Sequence, residues 1–385
     1  MENSISNKIV ILNAAARLFV ERGFAETKIS DISSAVGISD STIYEHFKSK
    51  REILFMIPQE KSSEISNSNI KQLRGLVGPA KVKLRKLIWN YLEFLTENQD
   101  YCVILLFGLR PNRHFYEHEN KDRVLEFTNE YRKIIVEGQI NNEFNSDLSP
   151  TIILKLVYGT IDLFVISWLI KSKLETPMNL FEPFWDLFIN AITNKNPESK
   201  PQDKRNSILA AATTVFSNTG FHKARIQDIA KLAGVGDGTI YQYFRNKEDL
   251  LFTIPLEKTR KLISSEHQLT VLINDYIRFL GSNKDYSSII LFELRYNRDF
   301  YKTEAYQIFR QYARVFYEAI KHGIESKQFR DNVNPYVAVQ MIFGVIDHSL
   351  LTWILFGKPE TMLEISDSVC GLVLNALRDN ASQQM

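Results

Sequence analysis

The sequence predicts an all-α protein made of two tandem copies of one unit, each a three-helix head followed by a larger helical body. Three observations predict this. Apolar residues recur at spacings of three and four in almost every segment, and no strand-like alternation persists. Residues 11–61 align with 208–258 at a constant offset of 197 and are identical at 23 of 51 positions. Farther on, Tyr91 matches Tyr276, Tyr101 matches Tyr286 and Trp168 matches Trp353, all at an offset of 185. The second unit therefore lacks 12 residues of its connecting helix and following loop (197 − 185), so the bodies are related but not replicas.

Taken in order, the first helix is expected over Lys8–Arg22, with Ile11, Leu12, Ala15, Leu18 and Phe19 on its inner side and Gly23 as its stop. A second helix over Ile29–Val36 and a third over Asp40–Phe47 complete the head. A connecting helix runs from near Lys50 to Arg74, where Gly75, Gly78 and Pro79 break it. Body helices are expected near 80–97, 100–110, 121–141, 150–172 and 178–194, with breaks at Pro111-Asn112, Asn141–Asn145, Pro150 and Pro177. The polar, proline-containing stretch Asn194–Arg205 reads as a linker. The expected domains are a first head at 1–58, a first body at 59–195, a linker at 196–206, a second head at 207–255 and a second body at 256–385.

A net charge of +2 excludes a protein that coats nucleic acid through bulk charge, so any DNA binding must be local and patterned. Cys102 and Cys370 lie far apart in apolar helical runs and read as buried, reduced thiols of a cytoplasmic protein. Cys and His spacing offers no metal site, and no cofactor is expected. The runs Ile152–Ile170 and Tyr336–Phe356 approach membrane-spanning length. Lys155, Asp162, Asp347 and His348 inside them argue instead for buried helices of a bundle, with no membrane partner.

The chemistry-bearing stretch of each head is SDSTIYEHFKSK at Ser39–Lys50, repeated as GDGTIYQYFRNK at Gly236–Lys247. Ile43/Ile240 and Phe47/Phe244 form an apolar stripe of a short helix, leaving the other side chains free to meet something outside. Before each helix stands another short helix and a Gly-containing turn, DISSAVGIS or DIAKLAGVG, which is the order of a helix-turn-helix. Thr42/Thr239 and Glu45/Gln242 suit base edges. Tyr44/Tyr241, His46/Tyr243, Lys48/Arg245 and Lys50/Lys247 suit phosphate. Ser39, Ser41 and Gly238, at the openings of the two helices, and Lys28 and Arg225, before the preceding helices, complete the candidate DNA-binding set. Residues 1–60 carry seven Lys/Arg against eight Asp/Glu and residues 200–258 nine against six, so the second head is expected to hold DNA more tightly.

Both segments resemble the tetracycline-repressor (TetR) family: a first helix ending in Gly23-Phe24 or Gly220-Phe221, a DI-x(4)-G turn, and the TIY-x-x-F-x-x-K signature. The chain departs from the family pattern at Lys28 and Arg225, where a capping Ser or Thr is usual, and at Ser41, where the second copy keeps the usual Gly as Gly238. The resemblance implies operator-DNA binding and response to a small-molecule effector. It also implies pairing of the last two body helices as a four-helix bundle, here within one chain as a pseudo-dimer.

In the bodies, DYCVILLFGLRPNRHFY (Asp100–Tyr116) is echoed by DYSSIILFELRYNRDFY (Asp285–Tyr301). Arg110, Arg113, Arg295 and Arg298, each pair followed by Tyr116 or Tyr301, suit recognition of an anionic group or, equally, capping and ion pairing within the body. Trp89, Tyr91, Phe94 and Phe107, echoed by Tyr276, Phe279 and Phe292, can line an apolar pocket or form core. Gly159–Asp162 and Gly344–Asp347, each followed by a Trp, read as an interface at which Gly allows close helix approach. The LR-x-NR and G-x-ID…W patterns are similar to the branch of the family that senses long-chain acyl-CoA. No nucleophile stands beside a base at motif spacing, and His348 next to Asp347 is a neighbour in a core helix, so an enzyme is not expected. The leading expectation is a ligand-responsive regulator, most often a repressor in this family. The alternative is a helical binding protein without sequence-specific DNA binding.

Overall fold

The structure, a computed structural model, describes residues 2–73, 76, 78–116, 118–170, 176–193, 201–262 and 264–378. The expected break at Gly75 and the stretch 196–200 of the expected linker lie outside them. The first copy runs α1 (Glu2–Arg22), α2 (Ile29–Val36), α3 (Asp40–His46), α4 (Lys50–Leu73), α5 (Ala80–Glu97), α6 (Gln99–Val103), α7 (His118–Ile140), α8 (Pro150–Ile170) and α9 (Phe181–Ile192). The second runs α10 (Pro201–Thr219), α11 (Ile226–Ala233), α12 (Asp237–Tyr243), α13 (Lys247–Leu262), α14 (Ser265–Ser282), α15 (Lys284–Ile289), α16 (Glu304–Glu325), α17 (Pro335–Phe356) and α18 (Ser366–Leu377). No strand occurs among the described residues, and Phe144 and Thr193 form an isolated bridge.

The chain divides into two compact units, 195–271 on one side and 1–194 with 272–385 on the other. The smaller unit holds the second head. Its core gathers Ile208 and Ala212 of α10, Ile229 of α11, Ile240 of α12, and Phe244 and Leu250 beyond it. The larger unit contains the first head, the first body and the second body from Leu272 onward.

Each head is built by local rules. The carboxylate of Asp31 accepts from the Lys28 backbone N–H at 2.7 Å, so the Asp half of a capping box forms at α2 although Lys28 offers no side-chain acceptor. Gly37 and Gly234 end α2 and α11 at φ 76° and 67°, a left-handed conformation that favours glycine. Ile43, Phe47, Ile240 and Phe244 are buried, as the four-residue stripe requires.

In the larger unit α8 packs on α17 and α9 on α18. Gly159 and Gly344 meet backbone to backbone where α8 crosses α17; a Cβ on either would fall inside the other's main chain. The two long apolar helices bury 78% and 67% of their most apolar windows. Repeat-related details recur closely: Asn145 N–H donates to Ile192 O at 2.7 Å, and Arg330 N–H to Leu377 O at 2.9 Å.

One local feature differs from the expected regular helices. α6 passes into a π-helical turn over Ile104–Leu109, and α15 does the same over Ile290–Leu294. Arg110 N–H thus reaches Leu105 O at 2.9 Å, and Arg295 N–H reaches Ile290 O at 2.8 Å. The wider turn recurs directly before Arg110 and Arg295, the first Arg of each repeated LR-x-NR motif, a placement common for π-bulges at working sites.

Candidate functional site

The two recognition helices present the same pattern of outward residues. Tyr44 and Tyr241 are each 56% exposed. Glu45, Lys48, Gln242 and Arg245 are also exposed, while Thr42, His46, Thr239 and Tyr243 are half-buried at the edge of the stripe. Lys28 and Arg225, which open the preceding helices, point outward as well. The helix openings differ. Ser39 Oγ accepts from Thr42 N–H at 3.2 Å and shares hydrogen bonds with the hydroxyls of Ser41 and Thr42. In the second head these positions are Gly236 and Gly238, which carry no hydroxyl. Ser33 also donates to Asp40 in the first head, where the second has Ala230.

Lys50 and Lys247 depart from the expectation of phosphate contacts. The Lys50 ammonium donates to the carbonyl oxygens of Phe24, Ala25 and Thr27 and lies 4.5 Å from the centre of the Phe24 ring. Lys247 donates to Phe221 O at 2.8 Å and Ala224 O at 3.1 Å, again 4.5 Å above a ring, that of Phe221. An ammonium has three donors and no acceptor. Those of Lys50 are all directed at main-chain carbonyls, so the signature Lys ties the end of each recognition motif back to the loop after the first helix.

The body arginines divide into two kinds by their partners. Arg110 Nη2 is 3.0 Å from Asp162 Oδ2, and Arg295 Nη2 is 2.8 Å from Asp347 Oδ2. Both carboxylates are 3% exposed. Tyr116 and Tyr301 donate back to the Arg110 and Arg295 carbonyls at 3.4 and 2.6 Å. Arg113 and Arg298 instead reach across between the bodies. Arg113 lies 4.8 Å over the Phe292 ring and donates to Ser288, while Arg298 lies 4.8 Å over the Phe107 ring. Phe107 and Phe292, expected as pocket lining, are thus the seats of these guanidinium groups. Other expected lining residues are packed on neighbours: Trp89 on Phe181 at 4.8 Å, Tyr91 on Tyr158 at 5.4 Å, Phe94 on Tyr101 at 5.5 Å, Tyr276 on Phe343 at 5.3 Å. Phe279 packs on Tyr286 and is 48% exposed. In each pair the rings come from two different helices and meet edge to face, which is the core alternative of the sequence reading.

The two buried carboxylates are unequal. His348 Nε2 stands 3.0 Å from Asp162 Oδ2, so Asp162 has two partners. The repeat-related position to His348 is Leu163, and among the described residues Asp347 is ion-paired with Arg295 alone. Burial pushes both carboxyls up. At Asp162, Arg110 and then His348 outweigh it and hold the group below the usual carboxylate range. At Asp347, burial wins over Arg295 and the group lies above that range. Sequence reasoning found the Asp and Arg motifs but not their pairing, which spans 52 residues in the first body. The described cavity, about 490 Å³, lies elsewhere, between α1, α4 and the α5–α6 turn, lined by Asn13, Arg17, Lys61, Asn98 and Tyr101 among others.

Two exposed recognition helices, each behind a Gly turn in a three-helix head, define a helix-turn-helix protein with two heads in one chain. The pattern described as "Bacterial regulatory proteins, tetR family" matches residues 11–57 and 208–254, and "YsiA-like protein, C-terminal region" matches 59–191 and 244–376. The chain belongs to the tetR family of bacterial regulatory proteins, duplicated in tandem, and is a transcriptional regulator. It is similar to the "Fatty acid metabolism regulator protein" of Bacillus subtilis, 28% identical over 183 residues that cover 45% of this chain and 94% of that protein. It is also similar to the "HTH-type transcriptional repressor DhaR" of a Mycobacterium species, 23% identical across 47% of this chain and 90% of the relative. Among solved structures, that of FadR from Bacillus subtilis in complex with stearoyl-CoA aligns with a TM-score of 0.42 and 23% identity, over 47% of this chain and 97% of the other.

Proposed function

We propose that one chain acts as a pseudo-dimer on one operator made of two unlike half-sites, as an effector-controlled repressor. The observation that carries this reading is the mutual exchange between the bodies. Arg113 of the first body sits on Phe292 of the second, and Arg298 of the second sits on Phe107 of the first. A homodimer makes such a contact twice by symmetry; here one chain supplies both halves. The heads attached to these bodies differ where they would meet bases. Glu45 is acceptor-only and suits the cytosine amino group, whereas Gln242 donates and accepts and suits adenine.

The effector in this reading is an apolar molecule bearing an anionic group, for which a long-chain acyl-CoA is the leading candidate. The fatty-acid regulator among the relatives supports that choice. Its anion would compete with Asp347 for Arg295, the pair without a histidine, more readily than with Asp162 for Arg110. Separating Arg from Asp would shift the π-helical turn that carries the Arg. The response is a population shift, and it requires the effector to prefer one state.

The test is selection of bound DNA from a random pool, with and without stearoyl-CoA, followed by footprinting. Two different half-sequences bound in one orientation, and released by the acyl-CoA, support the reading. A perfect palindrome bound by two chains contradicts the pseudo-dimer, and unchanged binding with the acyl-CoA contradicts the effector class.

A further inference from the structure

Contacts between the two bodies that occur only once, rather than twice, say which body can pair with which. The Arg330 guanidinium, 8% exposed, grips Asp186 on α9 with both nitrogens, Nη1 to Oδ1 at 3.1 Å and Nη2 to Oδ2 at 2.6 Å. It also donates to Ala376 O at 2.9 Å. The repeat-related places hold Asn145 and Gly371, which form no such pair. The backbone around them is nevertheless repeated, since Asn145 and Arg330 each donate to the last turn of their own body's final helix. The His348–Asp162 contact is equally one-sided, with Leu163 and Asp347 at the related places.

We propose that Asp186–Arg330 and Asp162–His348 form a mating code that makes the first body pair with the second and not with another copy of itself. The inference rests on the pseudo-dimer reading and names what enforces it. Were two first bodies paired, Asp186 would face Asn145 and lose its ion-pair partner, and Asp162 would face Leu163 and keep only Arg110 of its own body. Were two second bodies paired, buried Arg330 would face Gly371, where no counter-charge exists. A buried charge without its partner is strongly unfavourable, and discrimination of this kind works by penalising the wrong partner. The duplicated chain carries two dimerising bodies and could otherwise link into open strings of copies. The code closes it. An exchanged dimer of two chains would satisfy the same contacts, but the chain connection gives the internal partner a high effective concentration.

The experiment uses full-length chains carrying two different tags, with mass read by light scattering and exchange read by co-purification. Wild type and the double reversal D186R/R330D should run as single chains and not co-purify. D186R and R330D, each mismatched internally, should combine on mixing into a two-chain complex, because each body then finds its opposite in the other chain. Single reversals that keep wild-type mass and thermal midpoint, and do not combine on mixing, would overturn the code. Wild type that already runs as two chains would instead overturn the pseudo-dimer reading, leaving the exchange between reversed chains as the separate test of the code. Should a reversed chain fail to fold, N145R/G371D supplies the absent mirror pair. A Cβ at Gly371 meets nothing within 4 Å. That variant should raise the thermal midpoint, and an unchanged or lowered midpoint would overturn the argument from one-sidedness.

Discussion

Replacing Lys50 by Met separates a structural lysine from a DNA-contacting one. The substitution keeps the apolar stem and removes an ammonium that bonds three carbonyls, of Phe24, Ala25 and Thr27. The Ala25 bond is exposed, and water can replace it at little cost. The other two are part-buried. A hydrogen bond to a charged group contributes about 1.5–3 kcal/mol. One ammonium shared between partly hydrated acceptors falls at the low end, so the two bonds together contribute about 2–3 kcal/mol. The cation–π contact with Phe24 adds about 0.5 kcal/mol. K50M should therefore destabilise the protein by about 3 kcal/mol in a denaturant titration. The second readout is the salt dependence of operator binding. Each lost phosphate contact lowers the slope of log affinity against log salt by about 0.9. K50M should leave that slope unchanged, while K48A, at an exposed position, should lower it by about 0.9 with little loss of stability. A K50M protein of wild-type stability with a reduced slope would refute the assignment and return Lys50 to the phosphate-binding set.

Three further outcomes follow from the same geometry. G344V places two methyl groups against the backbone of Gly159, which has no flexible side chain to yield, and should cost about 3 kcal/mol or more in a urea titration. A loss below about 1 kcal/mol would mean that α8 and α17 do not cross there in solution. Asp162 is held below the usual carboxylate range, so its contribution is fully present above the unfolded value of about 3.9 and is lost as pH falls through the lower folded value. D162N should flatten the acid limb of thermal midpoint against pH. Asp347 lies above that range, so its contribution is present below about pH 3.9 and lost as pH rises through the folded value. D347N should consequently gain on wild type as pH rises, and identical profiles for both variants would contradict the inequality. E45Q, on an exposed residue, should leave stability within about 0.5 kcal/mol of wild type. It should change base preference in one half-site by about 1–3 kcal/mol, measured by competition between operator variants.

The heads were legible because their structure is local. The stripe Ile43–Phe47, the turn at Gly37 and the cap position at Ser39 are each set by residues within one or two helical turns. The bodies were legible as helices but not as contacts. Arg110 and Asp162 were both marked by motif, yet only packing of the bodies brings them within 3.0 Å. Phe107 and Phe292 read as pocket lining or core alike, because aromatic spacing on one helix does not reveal that the other body will cover it with a guanidinium. The π-helical turns escaped because a continuous apolar run such as Ile104–Leu109 has no polar residue to reveal its period. The main-chain contacts of the signature Lys are hidden in the sequence for a similar reason. Its cue was the repeated aromatic Phe24/Phe221, 26 residues upstream, which only the fold places beneath the ammonium.

The mass of the operator complex tests the central claim most directly. Light scattering of the full chain on a selected operator, cut to the shortest length that keeps both half-sites, should give one chain per duplex. Each half-site should be protected by a different head. Two chains per duplex, with the same head on both half-sites, would contradict the account.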